Sequence, residues 1–163
     1  MSHPVLFDRR LLAARRRRAL AQNAAGADFL LARVVEDLDD RLATVTRRFA
    51  RAAVIGDPTG RAAAALAASG KVGEVVNAAP AGSLAGDLIV DEEALPFPAA
   101  TLDLAVAPLS LHWVNDLPGA LVQIRRALAP DGLLLAALLG AAALTELRQS
   151  LIAAEIDLTG GAS

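Results

Sequence analysis

A five-residue turn, Gly56-Asp57-Pro58-Thr59-Gly60, separates a short apolar run at 52–55 from an alanine-rich stretch at 60–69. Glycines bounding a strand-to-helix turn let backbone approach a ligand closely and aim helix amides at an anion. Pro58 removes one of those amides and fixes its φ, and Asp57 puts a carboxylate into the same turn. Downstream lie the amide Asn77, the acidic run Asp91-Glu92-Glu93, and the polar cluster Ser110, His112, Trp113, Asn115 and Asp116. An amide can hydrogen-bond a hydroxyl, although without the charge-assisted strength of a carboxylate. For each group there is a plainer use: a tight turn, a solvated acidic loop, or local capping by Asn115 and Asp116.

Other chemistries are excluded by what the chain lacks. With no cysteine there is no disulfide framework, thiolate metal site, iron–sulfur cluster or cysteine nucleophile. The two histidines are His3 and His112, and neither a Ser-His-Asp arrangement nor an HExxH spacing is present, so hydrolytic and zinc chemistry have little support. No metal site is expected.

The elements that must position these residues follow from pattern. At 163 residues the chain suits one domain, and with 55% hydrophobic but only 3% aromatic residues its core must be aliphatic and rich in its 38 alanines. Residues 9–22 read as a helix. A second, capped by Asp28, carries the stripe Leu31, Val35, Leu38, Leu42, Val45 and Phe49, which the following sheet is expected to cover. From Ala52 onward the texture changes to strands at 52–55, 72–76, 88–90, 102–107 and 133–138. Helices fall between them at 60–69 and after Asp116, the latter with Leu117, Leu121, Ile124 and Leu128 on one face, and a last helix is marked by Leu144, Leu147, Leu151 and Leu158. Pro130-Asp131-Gly132 reads as a turn. Apolar strands alternating with helices imply a parallel sheet covered on both faces, with ligands beyond the carboxyl ends of its strands. That rule gathers Gly56 to Gly60, Asn77, Asp91 to Glu93, and Pro108 to Trp113 at one edge.

Charge divides the chain in the same place. Residues 1–51 carry 11 Arg against 6 acids, and residues 52–163 carry 5 basic residues against 12 acids. The expected organisation is a helical N-terminal arm, 1–51, and a sheet domain, 52–163. Arg15 to Arg18 read as a solvated helix face; no aromatic residues interleave with them, so no nucleic-acid partner is expected. No targeting segment is evident, and Leu133 to Leu139 is well short of the ~20 apolar residues a bilayer needs. A cytoplasmic protein without a transmembrane segment is the expectation.

Three fragments in order carry a resemblance: Asp91-Glu92-Glu93-Ala94-Leu95-Pro96-Phe97, Thr101-Leu102-Asp103-Leu104-Ala105-Val106, and Leu128-Ala129-Pro130-Asp131-Gly132. Together they resemble the class I S-adenosylmethionine (SAM)-dependent methyltransferases. Phe7-Asp8-Arg9, the stretch from Leu109 to Pro118, and Glu146-Leu147-Arg148 further resemble the methyltransferase-like complex I assembly factors, a family that includes a protein arginine hydroxylase. Biotin-pathway carrier-protein methyltransferases are more distantly similar. The resemblance implies a Rossmann-like three-layer α/β sandwich with parallel strands one to five, lacking the antiparallel strands that close the sheet in the full fold. It implies SAM as cofactor, bound by Gly56, Asp57, Gly60, Asn77, Asp91, Glu92 and Leu109, with Ser110, His112 and Trp113 on the acceptor side. Trp113 is also expected to pack on the helix that follows it. No catalytic residue is assigned.

The chain departs from the family at the cofactor. Pro58 stands for the middle glycine of the turn, Asn77 for the acidic residue that takes the ribose hydroxyls, and the 14 residues from Asn77 to Asp91 leave no room for a full helix. A non-haem iron centre takes two His and a carboxylate, which His3 and His112 do not supply. Two functions stay open: a methyltransferase-type enzyme acting on a protein substrate in respiratory-complex assembly, and a cofactor-free scaffold that binds a protein partner. An open sheet edge favours self-association or a covering partner.

Overall fold

The computed structural model describes residues 5–83, 86–140 and 142–160. Five parallel strands, β1 (Phe49–Ile55), β2 (Val72–Pro80), β3 (Leu88–Val90), β4 (Leu102–Pro108) and β5 (Leu128–Ala137), form one sheet in the order β3-β2-β1-β4-β5. This is the doubly wound architecture expected from the alternation of strands and helices. The order reverses between β1 and β4, and the crevice at that switch point is where such sheets bind ligands.

Period-two alternation along β1 sorts the core into two faces. Ala52 and Val54 pack with Leu104 and Val106 under α2 (Phe29–Thr44) and α3 (Arg61–Ala68), whereas Ala53 and Ile55 pack with Ala105 and Ala107 under α4 (Leu117–Ala127). Ala52, Ala53, Ala78, Ala79, Ala105 and Ala107 are all fully buried, so small strand residues let both helical layers sit close to the sheet. The expected stripe of α2 covers the sheet through Val35, Leu38 and Leu42.

Several boundaries differ from the sequence reading for local reasons. The helix ends at Thr44, with Val45 extended, because the β-branched run Thr44-Val45-Thr46 resists continuation; Phe49 opens β1 instead of closing the helical stripe. Residues 49–51 therefore belong to the sheet. The α2 cap also differs, since Asp28 makes no side-chain bond to the helix amides and pairs with Arg61 at 2.6 Å. The buried face of α4 is Ala120, Ile124 and Ala127, leaving Leu121 exposed. Leu128 begins β5, and the expected turn at Pro130-Asp131-Gly132 is an irregularity inside that strand, with Leu102 opposite Leu128 and Leu104 opposite Leu133. As an edge strand β5 is only half-buried, and α5 (Thr145–Thr159) buries none of its residues. Among the described residues no strand follows β5.

The first helix, α1 (Arg9–Gln22), has the predicted span and is capped by Asp8, which accepts from the Leu11 amide at 2.9 Å. No residue of α1 is buried. It lies across the carboxyl edge of the sheet: the Arg16 guanidinium donates to the Ala81 carbonyl at 2.7 Å, just beyond β2. A Cβ on Gly82 would come within 2.3 Å of the Ala13 carbonyl oxygen, so this approach requires glycine. The short link from β2 to β3 thus has α1 against it.

Candidate functional site

The turn after β1 is built around its own carboxylate. Asp57 is fully buried, its Oδ1 accepting from the Thr59 amide at 2.8 Å and hydroxyl at 2.7 Å, its Oδ2 from the Ala62 amide at 2.7 Å. Asp57 therefore satisfies amides at the start of α3 that a ligand carboxylate would otherwise use. Ser110 is likewise committed to the fold. It is buried beneath Gly56 and donates to the Ile55 carbonyl at 2.9 Å. Gly56 has φ +85°, and a Cβ there would lie 2.1 Å from Ser110 Cβ. Its need for glycine follows from backbone conformation and from packing on Ser110.

The remaining expected residues do gather at one edge. Asn77 lies three residues before the end of β2, opposite Val54, and its backbone is fixed on both sides by Asp87: the Asn77 amide donates to the Asp87 carboxylate at 2.8 Å, and the Asp87 amide donates to the Asn77 carbonyl at 3.0 Å. Its side chain is buried with the amide nitrogen directed toward Gly60, and Oδ1 has no hydrogen-bond partner among the described residues. Glu92 is fully buried; its Oε1 also lacks a partner and faces Gly56. Leu109, with φ +57°, joins Gly56, Pro58, Pro108 and Trp113 around a cavity of about 220 Å³. A second cavity of about 260 Å³ is bounded by Ile89, Val90, Asp91 and Ala81. Leu12 and Arg16 of α1 line both.

Arg9 and Phe7, quoted from sequence only as a motif, belong to the site, and Asn115, expected to cap locally, holds a distant segment instead. Arg9 donates to the Trp113 carbonyl at 3.0 Å, to Asp91 at 3.1 Å and to Glu92. Asn115 is a clamp on the N-terminal segment, its Oδ1 accepting from the Leu6 and Phe7 amides at 2.7 and 2.8 Å, and Glu93 accepts from the Asn115 amide. Phe7 meets the ring of Trp113 edge-on with centroids 5.6 Å apart, a partner the expected packing of Trp113 on α4 overlooked. Asp116 caps α4 through the Gly119 amide at 2.9 Å, as expected. The sequence held one signal for this arm, the Phe7-Asp8-Arg9 motif.

Electrostatics at this edge are close-coupled. Burial lowers the pKa of the Arg16 guanidinium, with the charge of Glu92 opposing that and Arg9 adding to it. Burial likewise lowers the pKa of the His112 imidazole, which stands 5.1 Å from Trp113 with Nδ1 unpartnered. Among the described residues no group of three or more His, Asp or Glu is placed to hold a metal ion, and no helix is long and apolar enough to cross a membrane.

The donor set divides when tested against SAM. Unpaired buried acceptors at Asn77 and Glu92 suit the hydroxyl and amino donors of an adenosyl group. The methionine carboxylate fits less well, because Asp57 already occupies the start of α3 and Pro58 offers no amide.

Comparison with known proteins bears on the family and the fold. A family model described as a methyltransferase domain matches residues 54–136. The mitochondrial arginine hydroxylase NDUFAF5 of Mus musculus is 39% identical over 168 residues, an alignment covering 97% of this chain and 49% of that protein. The chain thus spans about half the length of that relative. The malonyl-[acyl-carrier protein] O-methyltransferase of Gallionella capsiferriformans is 45% identical over 60 residues, covering 37% of this chain and 21% of that one. Among solved structures, a Methanococcus maripaludis protein provisionally assigned as an S-adenosyl-L-methionine-dependent methyltransferase superposes with TM-score 0.54 at 18% identity, covering 98% of this chain and 76% of its own. At that identity the match shows the fold alone.

Proposed function

Since this chain belongs to the methyltransferase-domain family, we propose that it binds SAM at the carboxyl edge of its sheet and acts on a protein partner, as a methyltransferase-type factor of respiratory-complex assembly. The observation that carries this reading is the pair of buried, unpartnered acceptors, Asn77 Oδ1 and Glu92 Oε1, the second facing Gly56 of one cavity and adjoining Asp91 of the other, the first at Gly60 behind the same turn. An adenosyl group would take Asn77 at its ribose and the Asp91–Glu92 turn at its base. Leu109 and Trp113 would supply apolar wall, and His112 would stand on the acceptor side. When bound, SAM supplies a sulfonium methyl whose transfer depends chiefly on alignment with an acceptor.

The partner is proposed to present an arginine side chain, because the mouse relative is named an arginine hydroxylase and because Asp91, Glu92 and the Trp113 carbonyl already hold a guanidinium. That relative is also named as mitochondrial, so a mitochondrial setting is proposed beside the cytoplasmic one expected from sequence. Among the described residues β5 is an edge strand, and a second copy or an assembly partner is proposed to pair there.

A second reading has its own support. Asp57 at the start of α3 and Pro58 in the turn favour a scaffold that keeps the fold without the cofactor. Calorimetric titration with S-adenosylhomocysteine separates the two. The enzyme reading expects saturable one-to-one binding, weakened about tenfold by Asn77→Leu, the size of one lost hydrogen bond. No saturable heat at millimolar ligand leaves the scaffold reading.

A further inference from the structure

The N-terminal arm occupies the very crevice that the proposed function needs. Its placement depends on a few polar and aromatic contacts: Arg9 on Asp91, Glu92 and the Trp113 carbonyl, Arg16 on the Ala81 carbonyl, Asn115 on Leu6 and Phe7, and Phe7 against Trp113. No residue of α1 is fully buried, and its docked face, Leu12, Ala13 and Leu20 alongside Arg9 and Arg16, is only half-buried. Elements held this way open locally at a free energy well below that of global unfolding.

The same helix blocks the site. Leu12 and Arg16 line both cavities, so a ligand extending from the Gly56 turn to Asp91 meets them on its path. Arg9 uses Asp91 Oδ1 and Glu92 Oε2, the oxygens a partner's arginine would take, and leaves Glu92 Oε1, the acceptor proposed for the adenosyl group. Glu92 makes this contact selective. Its side chain is fully buried and its ion pair among the described residues is with Arg9, so a site emptied of α1 loses both that guanidinium and the nearby charge of Arg16 from a buried carboxylate. The planar fork of Arg, which binds a carboxylate turn and a carbonyl together, is poorly replaced by an ammonium.

Resting on the proposed function, we propose that Arg9 is an internal occupant of its site: its guanidinium closes α1 over the crevice and is exchanged for an external one when the arm lifts. Ligand affinity is then reduced by the fraction of molecules whose arm is open. The arm becomes a regulatory strap: a partner's arginine takes the place of Arg9 on Asp91 Oδ1 and Glu92 Oε2, and Glu92 Oε1 with the cleared crevice is left to the cofactor.

Hydrogen exchange of the full chain tests the strap independently of cofactor. Amides of α1 are followed with those of β1 and β4 as a measure of intact fold. Adding arginine amide is expected to speed α1 exchange about tenfold, from an open population on the order of a tenth or less, while lysine amide at equal ionic strength has little effect. Arg9→Gln is expected to exchange fast without either probe and to show no further response. Arg16→Gln, which removes the bond to the Ala81 carbonyl and leaves the Arg9 contact to Glu92 in place, is expected to fall between the two. Equal effects of arginine and lysine amide, or slow α1 exchange in Arg9→Gln, would overturn the strap.

S-adenosylhomocysteine binding then separates the two ideas. If the Arg9→Gln variant binds it about tenfold more tightly than the parent chain, strap and cofactor site stand together. Tight binding unchanged by the substitution overturns the strap and keeps the function. If neither chain binds it but arginine amide still frees α1, the exchangeable arm stands and the cofactor reading fails.

Discussion

Arg9 and Glu92, 83 positions apart in the chain, form an ion pair at the carboxyl edge of the sheet in which the Glu92 side chain is fully buried and that of Arg9 is 22% exposed. The pair ties a helix that contributes nothing to the core to the crevice between β1 and β4. A double-mutant cycle of Arg9→Ala and Glu92→Ala, read by urea unfolding, should give a coupling of about 1–3 kcal/mol, as for contacting groups in one network. A coupling near that of an exposed pair, roughly 0–1 kcal/mol, would contradict the burial.

Gly56→Ala should unfold the protein or cost at least about 3 kcal/mol, because it combines a Cβ 2.1 Å from Ser110 Cβ with φ +85°. Pairing it with Ser110→Gly should recover only part of that loss, since the backbone strain persists. Full recovery in thermal unfolding would mean packing alone selects the glycine.

Asp57→Ala removes three accepted hydrogen bonds, two from Thr59 in the turn and one from Ala62 in the first turn of α3, and should cost about 1–2 kcal/mol in denaturant unfolding, within the range of lost helix caps. If the carboxylate also competes with the ligand, the same variant should bind S-adenosylhomocysteine more tightly despite its lower stability. Weaker binding would make Asp57 part of the ligand site.

His112 gives a pH dependence with a definite sign. Burial lowers its folded-state pKa, so the unfolded chain binds the proton first. Stability should be unaffected well above the ordinary His value of about 6.5 and should fall as pH drops below it, until the folded imidazole also protonates. His112→Gln should flatten that part of the profile, measured as the change in urea midpoint between about pH 7 and pH 5.5. An unchanged slope would assign the acid sensitivity to other groups.

The sheet was largely legible because short apolar runs between turns depend on local pattern: β3, β4 and the span of α1 fall where the sequence placed them. So was the gathering of Gly56, Asn77, Asp91, Glu92 and Leu109, which follows from parallel strands ending at one edge. The position of α1 was not legible. It has no unbroken apolar stripe to show which face docks, and it is fixed by contacts between Arg9 or Asn115 and residues 82 to 109 positions away. The roles of Asp57 and Ser110 were hidden for a related reason. A carboxylate or hydroxyl beside a glycine turn reads as ligand chemistry until its partners are seen to be Ala62 and Ile55 of the same chain. For Trp113 the missing partner was Phe7, brought in by that same arm.

Thermal unfolding of the chain with and without S-adenosylhomocysteine tests the central claim most directly. A ligand present at 100 times its dissociation constant and bound only by the folded state adds about 2.7 kcal/mol, a shift of several degrees for a domain of this size. That shift is expected in the parent chain, and a smaller one in Asn77→Leu. An unmoved transition at millimolar ligand, in both the parent chain and Arg9→Gln, would contradict an adenosyl site at this edge.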